Sequence, residues 1–148
     1  MKPFSLATVL RYRQQLEDTA VIKLNEAQLE MEHKKSVLNK TEEEYHSLLR
    51  AYNRFQEKGI GVADLLHYEN RLLWLKDKKS ELALELDLAK EKVERKRQIV
   101  VNRSKDKKVL EQLKERQDSN WHHFLNKKET AHLDEISVIA HQRKEQNH

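Results

Sequence analysis

Apolar residues recur along this chain with steps that alternate between three and four, over almost its whole length. In the first part Leu24, Ala27, Met31, Lys34, Leu38, Thr41, Tyr45, Leu48, Tyr52 and Phe55 keep that spacing, with Lys34 and Thr41 as polar intrusions. Such steps place one stripe of side chains on a helix, the a and d seam of a coiled coil. Leu6, Val9, Arg13, Leu16 and Ala20 precede on the same spacing, and the step from Ala20 to Leu24 slips the register by one. A stutter of this kind unwinds a supercoil locally without ending the helix. Ala20 and Ala27 are small enough to let a second helix come close.

The pattern is interrupted once, at Glu57-Lys-Gly-Ile-Gly-Val-Ala-Asp64. Gly59 and Gly61 are the only glycines and Pro3 is the only proline, so backbone freedom is concentrated here. Glycine commonly sits just past a helix end because it reaches positive φ without a steric penalty. A first arm is therefore predicted from about Ser5 to Lys58, a bend over 59–63, and a second arm from Asp64, acting as its N-cap, to about residue 142. The second arm repeats the rule at Leu65, Tyr68, Leu72, Leu75, Lys79, Leu82, Leu86, Ala89, Val93, Lys96 and Val100. It weakens through Arg103 and Lys107 and resumes at Leu110, Leu113, Gln117, Trp121 and Phe124. At ~1.5 Å per residue the arms are about 80 Å and about 120 Å long. The predicted fold is all-α, a single long antiparallel two-helix coiled-coil hairpin, residues 1–148, whose longer second helix overhangs the first.

Folding the chain back at the glycines pairs residue i with about residue 120 − i, since both arms rise equally. Charge agrees with that register. Glu42, Glu43 and Glu44 fall opposite Lys76, Lys78 and Lys79, and Glu17 and Asp18 opposite Arg103 and Lys105. Residues 17–57 carry six basic and nine acidic side chains, net −3, whereas residues 90–116 carry eleven and five, net +6. Flanking charges of opposite sign set helix orientation more than they add stability. From about Gln117 onward the second arm has no counterpart, yet it carries Trp121, Phe124, Leu125, Leu133, Ile136 and Ile139. Apolar residues at helical spacing on an unpaired helix mark either self-association or, as the better reading, a surface for another protein.

Composition sharpens this picture. Charged residues make up 36% and hydrophobic residues 37% of the 148, enough for a narrow seam and too little for a thick core. The absence of cysteine excludes disulfide and thiol chemistry and points to a reducing compartment. The apolar run from Phe4 to Leu10 is broken by Arg11 and Arg13 and is short for a signal peptide. No run approaches the ~20 apolar residues of a membrane span, so a soluble protein with no membrane insertion is expected.

The sequence gives little support to chemistry. The eight histidines show no zinc spacing, and adjacent His122 and His123 point to different helix faces. No metal or cofactor is expected. Thr41-Glu-Glu-Glu44 fits a capping box but lies inside a continuous helical pattern. A two-helix coil has no enclosed cavity in which to build a catalytic site, so no catalytic residue is assigned and enzyme activity is not expected. The basic run from Lys90 to Lys108 faces the acidic first arm, and this favours a compensated surface over a nucleic-acid site. Tyr45, Tyr52, Phe55 and Tyr68 gather near the bend, either as ordinary packing or as a recognition surface. Leu49, Leu66, Leu73 and Trp74 lie off the seam and favour the second reading.

The N-terminal string Phe4-Ser-Leu-Ala-Thr-Val-Leu-Arg-Tyr-Arg-Gln-Gln-Leu-Glu17 resembles the start of the flagellar FliJ family, and the likeness extends over the chain in length, charge, bend position and helix asymmetry. The resemblance implies a cytoplasmic, membrane-peripheral component of the flagellar type III export apparatus, similar to the central stalk of rotary ATPases. It implies that both termini enter the ring of the export ATPase FliI, through Phe4, Leu6, Val9, Leu10, Trp121, Phe124, Leu125, Leu133 and Ile136. It further implies that the export-gate protein FlhA meets Tyr45, Leu49, Tyr52 and Leu75 near the bend, with export chaperones as additional candidate partners. Arg71, Lys78 and Leu82 stand where the family can have an aromatic, a small residue and a histidine. An injectisome stalk or a homo-oligomeric structural coiled coil are the alternatives.

Overall fold

The computed structural model describes residues 6–146. Two helices make up the described residues: α1, Ala7–Lys58, and α2, Val62–Gln146. They form the antiparallel hairpin, the second helix longer than the first by more than half, at 85 residues against 52. The start of the first arm at Ser5 lies outside the described residues.

The bend is tighter than the sequence suggested. α1 stops at Lys58 because Gly59 takes a φ of 77°, which removes its neighbours from the helical ladder. α2 then begins at Val62, not Asp64. The Leu65 amide donates to the Gly61 carbonyl at 3.0 Å, so Gly61 occupies the capping position. Asp64 sits in the first turn, where its negative charge still offsets the partial positive charge of the free amides.

The contacts divide the chain into two units. The bend unit comprises Asp18–Asn102. Its core is the predicted seam: Ala20 and Ala27 from α1 pack with Leu75, Leu82, Leu86, Ala89 and Val93 from α2, all buried. Thr41, polar in the seam of α1, donates its hydroxyl to the Val37 carbonyl one turn back at 2.9 Å, so no donor is stranded there. Cross-helix ion pairs border the seam at Glu44–Arg71, Glu30–Lys92 and Lys34–Glu85, at 2.6, 3.1 and 3.9 Å. Glu44 thus meets Arg71, with Lys79 instead over the Tyr45 ring at 5.5 Å.

The terminal unit comprises the described parts of Met1–Glu17 and Arg103–His148. Leu110 is its buried apolar residue, with Leu6 and Leu10 half-buried. Between them the seam is polar. Arg13 pairs with Asp106 at 3.0 Å and Glu17 with Lys107 at 2.9 Å, so Glu17 meets Lys107 in place of the expected Arg103. In both units the numbers of cross-helix partners add to within about five of 120, as an equal rise in both helices requires.

Candidate partner-binding surfaces

Near the bend the tyrosines form a connected surface within the bend unit. Tyr68 stands 5.5 Å from Phe55 and 6.3 Å from Tyr52, ring centre to ring centre, a tilted arrangement favourable for aromatic pairs. The Tyr52 hydroxyl donates to Glu69 Oε1 and accepts from Gln56 Nε2, each at 2.9 Å. Donation to Glu69 holds the phenol above its ordinary pKa, with partial burial and the carboxylate charge acting the same way. Tyr45 and Leu49 are half-buried on α1. Leu75, at 1% exposure, is buried in the seam and presents no surface. Trp74 beside it is half exposed, with the Arg71 guanidinium 4.6 Å over its ring and held there by Glu44.

In the terminal unit Val9 is exposed and Leu6 and Leu10 are half-buried, while Phe4 lies outside the described residues. The Lys107 ammonium and then the Ser104 hydroxyl bond the Glu17 carboxylate and hold it below its ordinary value of 4.5. Further along α2, Trp121 stacks on Phe124 at 5.6 Å and an interplanar angle of 23°. Trp121 is half-buried, whereas Phe124, Leu125, Leu133 and Ile136 are exposed. Ile136, Ile139 and Ala140 line an open groove whose rim is Arg143 and Lys144. The arrangement is an apolar helix face ending in positive charge.

Among the described residues no three His, Cys, Asp or Glu side chains gather as a metal site, and no helix is long and apolar enough to cross a membrane. Sequence reasoning left two features unresolved: which basic residue of α2 meets Glu17, and the exposure of Val62, Leu84 and Leu88 on α2. The first turns on Arg103 and Lys107, both at seam positions. The second was signalled by leucines two residues removed from Leu82 and Leu86, which a helix must turn away from the seam.

The family model for the flagellar FliJ protein matches residues 1–146. Among curated proteins no match is found. The fold is similar to a solved structure described as that of a YscO homolog from Chlamydia trachomatis, with a TM-score of 0.61 and 18% identity, covering 100% of both chains.

Proposed function

This chain belongs to the flagellar FliJ protein family, a component of type III export, and from that premise we propose that it is the stalk docking in the export ATPase ring and linking that ring to the membrane gate. The observation that carries the reading is the continuation of α2 past the end of its pairing with α1, with Phe124, Leu125, Leu133 and Ile136 exposed on regular helix. Large apolar side chains left uncovered on a stiff helix favour insertion into a ring that receives them. Leu6, Val9, Leu10 and Trp121 belong to the same unit and support docking by both termini, with Phe4 included by family resemblance.

The gate reading rests on the Tyr45, Leu49 and Tyr52 face, supported by the aromatic network with Phe55 and Tyr68. Leu75 contributes there only through the seam, since it has no accessible surface of its own. The chain works without catalytic residues, in the cytoplasm and peripherally at the inner face of the membrane. Docking biases the ring toward its assembled, competent state, since a ligand that prefers one state raises its population.

The test is ATP hydrolysis by the export ATPase with and without the full chain. Stimulation is expected, together with its loss in Leu133→Asp/Ile136→Asp while binding to the gate protein's cytosolic domain survives. An unchanged rate and unchanged ring assembly would count against docking. A stable dimer by light scattering, dissociated by the same double substitution, favours the homo-oligomeric coiled coil instead.

A further inference from the structure

α2 carries a second apolar stripe, of which the sequence analysis singled out only Leu66 and Leu73 as lying off the seam. Val62, Leu66, Leu73, Leu84 and Leu88 are 73%, 52%, 59%, 67% and 63% exposed. Their positions step by four and seven, with Asp77 filling the one gap in the series. Paired steps of four and seven make an 11-residue repeat, which returns a helix to the same face at ~3.67 residues per turn. The stripe is therefore straight, and it runs on the side of α2 away from buried Leu75, Leu82 and Leu86. All of it lies within the bend unit.

Five large apolar side chains in line, each more than half exposed, are costly to leave in water. A helix with such spacing accepts another helix, whose own i, i+4 and i+7 side chains fill the gaps. Charge selects among helices. Asp77 lies on the stripe itself, Glu69 and Glu91 share the line along one edge, and Glu81 on the other edge is paired with Lys78. Lys76 stands on the same line as Asp87, eleven residues before it, and the two offset each other, which leaves the border acidic on balance. Lys92, on the same line as Glu81, reaches across to Glu30 of α1 instead. Arg95 is the first basic residue to return to the stripe's own line. An acidic border repels an anionic membrane surface and a like-charged helix, and attracts a helix with basic flanks.

We propose that the outer face of α2 from Val62 to Leu88 is a docking stripe for one amphipathic α-helix of a partner protein, apolar along one side and flanked by lysine or arginine. The stripe is distinct from the tyrosine face and from the free end of α2, so occupant and stalk function coexist.

The test titrates the full chain into a fluorescently labelled helical peptide with leucines at four and seven spacing and lysine flanks. A second peptide has the same leucines and glutamate flanks, and vesicles of phosphatidylcholine and phosphatidylserine serve as the lipid arm. Expected are about tenfold tighter binding of the lysine-flanked peptide and loss of that binding in Leu84→Ser/Leu88→Ser. The substituted residues are exposed, so circular dichroism and the melting midpoint should match those of the parent chain. A second pair, Leu66→Ser/Leu73→Ser, should weaken the same peptide. Equal binding of both peptides, binding indifferent to either variant, no binding at all, or preference for the vesicles would each overturn the proposal. So would a chain dimer that Leu84→Ser/Leu88→Ser dissociates, since the occupant would then be a second copy.

Discussion

Gly59 is the residue at which the hairpin is decided. A Cβ added there meets nothing within 4 Å, so substitution creates no clash; the difficulty lies in its φ of 77°. An L-residue pays about 1 kcal/mol or somewhat more for that left-handed backbone. Gly59→Ala should therefore lower the thermal midpoint by an amount consistent with ~1 kcal/mol, and Gly59→Asn, which tolerates the conformation better, by less. Equal midpoints for all three chains would mean that α1 does not need this residue to end. Glu17 gives a second test at this scale. Lys107 and Glu17 keep only 19% and 16% of their side-chain surface exposed, and the bond between them stabilises the ionised carboxylate. Its folded pKa lies below the ordinary value of 4.5, so the unfolded chain takes up the proton first as pH falls. The stabilisation is complete above about pH 4.5 and disappears as pH drops through the lowered folded value. Glu17→Gln should thus be less stable than the parent by about 1 kcal/mol at pH 7, and the gap should narrow as pH falls below 4.5. A gap that stays constant across that range would show the loss to be one of packing.

At the scale of the element, α2 sets one residue type on two faces within a few positions. Leu86 is buried at 7% exposure, and Leu88 is 63% exposed. Leu86→Ala removes apolar contacts the two helices cannot replace and should cost about 2–3 kcal/mol. Leu88→Ala removes none of them and should fall within ~0.5 kcal/mol of the parent. Chemical denaturation of both variants measures the contrast, and similar losses would place the seam elsewhere. Most of this was legible beforehand, because a heptad stripe is a periodic signal that needs no partner to be recognised. Leu75, Leu82, Leu86, Ala89 and Val93 were on the stripe and are buried. The start of α2 was less legible. A glycine carbonyl and an aspartate side chain three residues apart both serve a helix N-terminus, and only the backbone decides between them. Ion partners were displaced for a related reason. Glu44 chose Arg71 over Lys76 because long side chains reach along the seam as well as across it.

For the whole molecule the candidate surfaces were legible by position more than by contact. Phe124, Leu125, Leu133 and Ile136 were recognised as lacking counterparts from chain length alone, and they are exposed. Leu75 carries two expectations, a seam position from the heptad spacing and a recognition position from the family resemblance, and its 1% exposure agrees with the first. The second stripe is less legible than the seam because its period of eleven is carried by only five apolar residues, with Asp77 in the gap. These facts separate folding from recognition in a way truncation can test. Every residue of α2 from 126 to 146 is exposed, so a chain ending at Leu125 discards no buried side chain. Its melting midpoint should stay within ~2 °C of the parent, since neither the seam nor the Glu17–Lys107 pair is touched. Its helical signal should fall by the share of helix removed. If the proposed ring docking holds, its stimulation of the export ATPase should vanish, because Leu133 and Ile136 are gone, while gate binding through Tyr45 and Tyr52 persists. A large drop in midpoint would make the end of α2 part of the fold. Retained stimulation would leave those exposed residues without a role in the ring and would shift the docking function to the first turns of α1.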